Sequence, residues 1–519
     1  MSDSFQPDNI EAAGVRAVDA GTVAAAVAPA STAATAPAHD YAKTLRWWDG
    51  FAISLSIPAA LFINLGYALG AIGALPALVL VAIVAVLACL QNFVYSELAG
   101  IFRDRIGGIA MYANQSWRRR FTPVGPLAAF GCWFSWSSSL AIYGLQIGYL
   151  VQAEWLPSQT WSFSTGTADF GFPHLVAIVV LLAGWVLNIL GMRLAMWIIY
   201  VTGVFILIPI IGFALAPFLS GEWSWSNLGS TLTASGAPGW QTAIAWMFVL
   251  AWSVYGIEAV ASFVPEFKQT VSDTRRALRV AGFFVIGVYA LVPLGIGGLG
   301  LEAEATENPV SFYLGAFETL IPGSSGLMTV CLIAGLMLLM VMTTADGGRV
   351  LHGSAVDGLT ISQLGKLNRF KVPGVAMTLD VVVNVVLIVF VGEALAVVVA
   401  GIMGYLVCHI FALSGFLLMR RDAPNADRPI HLGPQWVPIA WALLIIDITI
   451  LIVGVASAGI TGYGGPREVI IGIVVLSTSV ILYWYRTVVQ DKQPFRLRAV
   501  GTAAEAAGPN AGPVAPEVR

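Results

Sequence analysis

The sequence predicts an all-α membrane protein with about twelve transmembrane helices. Two observations carry this: a composition unsuited to water, and apolar runs separated by loops of alternating charge. Of 519 residues, 58% are hydrophobic and only 11% charged. A soluble domain carries about a quarter charged residues, so most of this surface must face hydrocarbon. Glycine and proline are frequent, at 54 and 26 residues, as in membrane helices that pack closely or are interrupted. A net charge of −3 offers no field for nucleic acid. The expected partners are the lipid bilayer and a small molecule.

Apolar runs long enough to cross a hydrocarbon core of about 30 Å recur along the chain. They lie near 49–73, 76–100, 124–152, 173–192, 195–219, 240–265, 280–301, 325–347, 373–394, 397–419, 435–457 and 467–487, numbered here as spans 1 to 12. Lys43 and Arg46 precede span 1, and Arg103, Arg105 and Arg118 to Arg120 follow span 2. Arg193 follows span 4, and Lys268, Arg275, Arg276 and Arg279 follow span 6. Arg349, Lys366, Arg369 and Lys371 follow span 8, Arg420, Arg421 and Arg428 follow span 10, and Arg486 to Arg498 follow span 12. The intervening loops carry Glu154, Asp169, Glu222, Glu302, Glu304, Glu307 and Glu318, with Arg467 as the basic exception. This alternation places both termini in the cytoplasm of a multi-pass protein of the cell membrane.

Residues 1–44 are rich in Ala, Pro, Thr and Asp and lack the layout of a secretory signal. They read as a disordered cytoplasmic tail, as do residues 491–519, leaving a membrane domain over 45–490. Cys89, Cys132, Cys331 and Cys408 all fall in apolar runs without zinc or disulfide spacing and read as small buried hydrophobes. Gly295 to Gly300 fits the dinucleotide pattern GxGxxG, but no strand precedes it; small-residue helix packing explains it.

Spans 1 and 6 depart from smooth apolar helices. Span 1 holds Ser54, Ser56, Pro58 and Asn64, and Pro58 removes a backbone donor. Span 6 holds Ser253, Gly256 and Glu258 near its centre and Pro265 at its end. A carboxylate at membrane depth is costly unless it faces a cavity or a partner. If the chain holds two five-helix repeats, spans 1 and 6 correspond, and paired interruptions point to a transporter's midplane site. A broken helix frees N–H groups for a carboxylate and C=O groups for an ammonium. Either span alone reads equally well as a proline kink with a satisfied polar contact.

Several stretches, in order, match one family. They are Trp48-Asp49; YSELAGIF at 95–102 and GGIAMY at 107–112; Tyr255-Gly256-Ile257-Glu258; Pro265 to Lys268 with Arg275-Arg276-Ala277; Gly348 to Leu351; Asp357-Gly358-Leu359; and Val372-Pro373-Gly374. From about 45 to 490 the chain resembles the amino acid–polyamine–organocation permeases. The resemblance implies a five-plus-five inverted repeat, with repeat one over about 49–219 and repeat two over about 240–419. Two extra C-terminal helices over about 435–487 complete it. It also implies a substrate held between unwound parts of spans 1 and 6, backed by spans 3 and 8.

On that resemblance the substrate-binding candidates are Ile57, Pro58, Ala59, Ala60, Leu61, Phe62, Trp252, Ser253, Tyr255 and Gly256. Trp252 and Tyr255 could attract an ammonium with their ring faces, or simply pack. The coupling and gating candidates are Glu258, Thr343 and Thr344. Glu258 reads as a support for the unwound turn or as a proton carrier. Thr343 and Thr344 read as backbone-bonded hydroxyls or as ligands of a sodium ion. Asp346, Asp380 and Asp447 read as lying near span ends in solvated or paired roles, and His409 as a satisfied core histidine. Two departures stand out. The family's Gly-small-Gly run in span 1 is here Ala60-Leu61-Phe62, which crowds a carboxylate's approach to bare N–H groups. The span 5 lysine of some proton-coupled members is here Ile206.

The expected function is secondary active transport of amino acids or related amines and polyamines by alternating access. No cofactor and no certain metal site are expected; the coupling ion is H+ or Na+. A non-transporting nutrient sensor of the same fold, and a channel, are the alternatives. No HExxH or Ser/His/Asp set stands at membrane depth, so an enzyme is not expected.

Overall fold

A computed structural model describes residues 43–166, 169–390 and 394–499. Among them, ten helices are long and apolar enough to cross a membrane. They stand at the places of every expected span except 3 and 9. The helix at span 3, Val124–Glu154, is long but rich in Ser and Trp, and nearly all of it is buried. Its neighbours are protein rather than lipid, so its own apolarity is not what keeps it inside. The helix at span 9, Gly374–Phe390, is apolar but only 17 residues long. Large apolar side chains on the outer faces of Phe172–Ile189, Met192–Ser220 and Pro466–Tyr485, such as Val179, Val204, Ile211 and Ile473, are exposed. Such a surface suits lipid tails.

Several helices outlast their apolar runs. Span 7 is Thr270–Gly297, so Arg275, Arg276 and Arg279, expected in a loop, stand on its first turns. Span 8 is Ser325–Val356 and carries Arg349 inside it. Span 10 runs from Ala394 to Asp422 and carries Arg420 and Arg421. Intrahelical hydrogen bonds persist where hydropathy falls, because long basic side chains reach partners beyond the helix end. Short helices Gly108–Trp117, Glu302–Glu307 and Phe312–Leu320 lie between spans, and Ser162–Ser164 pairs with Asp169–Gly171 in a small antiparallel hairpin.

Close contacts rest on glycine, as expected in membrane packing. A Cβ at Gly131 of span 3 would stand 2.2 Å from Gly404 O of span 10, and one at Gly295 of span 7 would stand 2.0 Å from Phe213 O. Gly295 therefore serves helix contact, in line with the packing reading of its motif. Of the two expected tails, residues 1–42 and 500–519 lie outside the described residues. The start of the second is held: Thr122 N donates to Leu497 O and Ala499 N to Arg118 O, both at 2.9 Å.

Candidate functional site

Span 6 breaks at Tyr255 and Gly256. The α-helix Gly239–Val254 ends on Tyr255 in extended backbone, and Ile257–Glu266 continues as a 3-10 helix. Gly256 has φ +122, a region essentially closed to side chains. A Cβ there would also stand 2.5 Å from the Trp136 ring and 2.8 Å from Ile57 Cδ1. Span 1, by contrast, runs on from Trp47–Ser54 into Ser56–Ile72 through Leu55, whose backbone is helical and whose N–H bonds to Phe51 O at 3.1 Å. Pro58 cannot donate to the carbonyl four residues back, which is that of Ser54. Spans 1 and 6 are tied by Tyr289 of span 7, whose hydroxyl donates to Ile57 O at 2.8 Å and closely contacts Ser253 O.

Around the span 6 break lies a buried polar network. Glu258 Oε2 accepts from Gly256 N at 2.9 Å, and Oε1 accepts from the Tyr405 hydroxyl. His409 Nε2 is 3.4 Å from Glu258 Oε1, and its Nδ1 is 2.8 Å from the Tyr95 hydroxyl. The Tyr255 hydroxyl donates to Asp447 Oδ1 at 2.8 Å, and Gln91 Nε2 donates to both Asp447 oxygens. At the end of the bundle that carries the loops after spans 2, 6 and 8, these stretches converge. Arg349 Nε donates to Glu266 Oε1 at 2.8 Å, and both residues are buried. Asp357 faces Arg105 at 3.6 Å and accepts from Gln115 and Asn114. Burial nevertheless holds the Asp357 carboxyl above the ordinary carboxylate range, against the pull of Arg105. A Cβ at Gly108 would stand 2.7 Å from Ser262 Oγ, so the loop after span 2 packs on the 3-10 segment.

Residues 45–477 match the amino acid permease family. The chain belongs to that family. It is also 25% identical over 341 residues to an uncharacterized amino acid permease of Bacillus subtilis (strain 168), YvbW, across 64% of this chain and 74% of that one.

In this permease the candidate residues are placed as follows. Trp252, Ser253, Tyr255, Gly256 and Glu258 gather at the span 6 break. Trp252 Nε1 donates to Ser139 Oγ of span 3 at 3.1 Å, and Ser253 Oγ donates to Leu250 O. Ile57 to Phe62 are all buried, but in the helix Ser56–Ile72 rather than in an unwound stretch. The bond missing at Pro58 leaves Leu55 helical, so span 1 is not unwound here. Ala59 and Phe62 border a cavity of about 20 Å³ with Gln146 and Tyr313, room for about one water. Thr343 is buried in span 8, and Thr344 Oγ1 donates to Met340 O of its own helix.

Asp346, Asp380 and Asp447 correct the solvated reading, while Asp380 and Asp447 fit the paired one. All three are buried, and Asp447 lies midway along Trp436–Ala456 rather than near an end. Their polar partners sit on other helices, such as Trp133 Nε1, which donates to Asp380 Oδ1 at 2.5 Å. Sequence reasoning also passed over Gln91, Tyr95, Tyr289 and Tyr405. One signal was available: Gln91 with Tyr95, and Tyr405 with His409, each recur at four-residue spacing on one helix face.

Proposed function

We propose that this permease moves an amino acid or a related amine across the cytoplasmic membrane by alternating access. The proposed architecture is twelve spans in a five-plus-five inverted repeat with two added helices, and both termini lie in the cytoplasm. One observation carries the reading: span 6 is unwound at Tyr255-Gly256, and this break packs against Ile57 in span 1, with Tyr289 bonding the Ile57 carbonyl beside it. The span 6 break leaves the carbonyls closing Gly239–Val254 and the N–H groups opening Ile257–Glu266 without helical partners of their own. These groups suit an ammonium and a carboxylate respectively. Leu61 and Phe62 fill the side of span 1 where glycines would admit a carboxylate, which favours a small amino acid or an amine. The adjoining cavity is too small for any amino acid, so loading requires the spans to move.

The test is uptake into proteoliposomes across labelled amino acids and polyamines. Saturable uptake or exchange of at least one is expected. If none of them is taken up or exchanged, the reading fails.

A further inference from the structure

The network behind the span 6 break contains more acid–base chemistry than substrate binding needs. Asp447 of span 11 and His409 of span 10 are each 0% exposed. The groups facing His409 are Tyr95 of span 2, Tyr255 and Glu258 of span 6, Tyr405 and Cys408 of span 10, and Asp447 of span 11. Beyond them, Glu258 acts on Asp346 of span 8 and on Cys132 of span 3. Arg349, three residues from Asp346, is engaged by Glu266.

Two carboxylates and one imidazole, Asp447, Glu258 and His409, therefore share one dry site walled by tyrosines. With a neutral imidazole, two buried negative charges would stand without a counter-charge, which is strongly disfavoured. One proton on His409 places a cation between two anions, and a second neutralises the cluster. The hydrogen bonds accommodate either state. The Tyr95 hydroxyl donates to Nδ1 of a neutral ring and accepts from Nδ1–H of a charged one. The cluster also grips both sides of the hinge. Asp447 holds the Tyr255 hydroxyl just before Gly256, and Glu258 holds the Gly256 N–H just after Tyr255.

We propose that His409 and Asp447, together with Glu258, bind a coupling proton between spans 6, 10 and 11. Occupancy of this site sets whether the Gly256 hinge is free to move. The transport role rests on the function proposed above; the proton site itself does not.

Two measurements separate them. The first is pH-induced infrared difference spectroscopy of the purified full-length protein in detergent, with no substrate. A histidine-ring band titrating with a carboxyl band is expected in the unaltered protein. His409→Gln removes one component of the ring bands given by the five histidines. Asp447→Asn moves the midpoint to lower pH by about one unit, a tenfold loss of proton affinity. Glu258→Gln moves it the same way and serves if Asp447→Asn does not fold. Ring bands unchanged by His409→Gln, or a midpoint of the His409 component unmoved by either carboxylate variant, overturn the site.

The second uses proteoliposomes loaded with a pH-sensitive dye and given a labelled equimolar mixture of the proteinogenic amino acids and polyamines. Uptake accompanied by a change in internal pH is expected. In His409→Gln and Asp447→Asn, accumulation driven by a pH gradient should fall about tenfold. Uptake without proton movement overturns the coupling role. Absence of uptake with the infrared titration intact overturns the transport reading and leaves the proton site standing.

Discussion

Gly256 concentrates two constraints in one residue. Its φ of +122 excludes a side chain on backbone grounds, and the Trp136 ring excludes one on packing grounds. Gly256→Ala should therefore cost about 1–3 kcal/mol from backbone strain alone, with the clash added, and should lower the melting temperature in detergent. An unchanged melting temperature would mean that the break is not held as described. Glu318 gives a pH-dependent case outside the spans. The N–H groups of Gly323, Ser325 and Ser324 bond its carboxylate at 2.6 to 2.9 Å and hold it below the ordinary glutamate range. Its folded-state proton affinity is lowered, so its stabilisation is complete above the ordinary glutamate range. That stabilisation is lost as pH falls through the lower, folded value. Amide exchange at 323–325 should accelerate over that acid window, and Glu318→Gln should show fast exchange at every pH. The sequence displayed Gly256 and Glu258 openly, since a glycine and a carboxylate break an apolar run. It hid the role of Asp447, because nothing in a single chain tells which helix faces a mid-span aspartate.

At the scale of the helix, local chemistry explains why span 1 continues where span 6 is interrupted. Span 1 loses one ladder bond because Pro58 cannot bond back to Ser54, yet Leu55 stays helical and the helix continues. The four Ala60-Leu61-Phe62-Ile63 positions that follow stay helical, as their side chains favour. Below the span 6 break, the 3-10 helix Ile257–Glu266 ends on the buried Glu266–Arg349 pair. Breaking a buried pair leaves an uncompensated charge and costs about 3–5 kcal/mol, whereas an apolar replacement of both partners is near neutral. Glu266→Leu alone should thus destabilise strongly, and adding Arg349→Met should restore most of the loss in a thermal melt. Additive losses would show that the pair is not the coupling contact. Both residues lay in stretches that carried the family resemblance, but their meeting across 83 residues is visible only in the fold.

At the scale of the whole molecule, every expected apolar run coincides with a helix, since a run of apolar residues is sufficient where lipid is the solvent. The layout turns on two helices that apolarity alone does not certify. Val124–Glu154 is too polar, and Gly374–Phe390 is about 25 Å long against a core of about 30 Å. Single-cysteine labelling decides both, because the four native cysteines are buried. Asp104 and Ser158 flank the first helix, and Lys366 and Asp427 flank spans 9 and 10; all four are exposed. With an impermeant maleimide on intact cells, Ser158→Cys should label and Asp104→Cys should not, because one crossing separates them. Lys366→Cys and Asp427→Cys should both stay unlabelled until vesicles are inverted, because two crossings return the chain to the same side. If Asp427→Cys labels from outside while Lys366→Cys does not, Gly374–Phe390 does not cross. The five-plus-five arrangement would then lose the fourth helix of its second half, and with it the correspondence between spans 1 and 6 on which the midplane site rests.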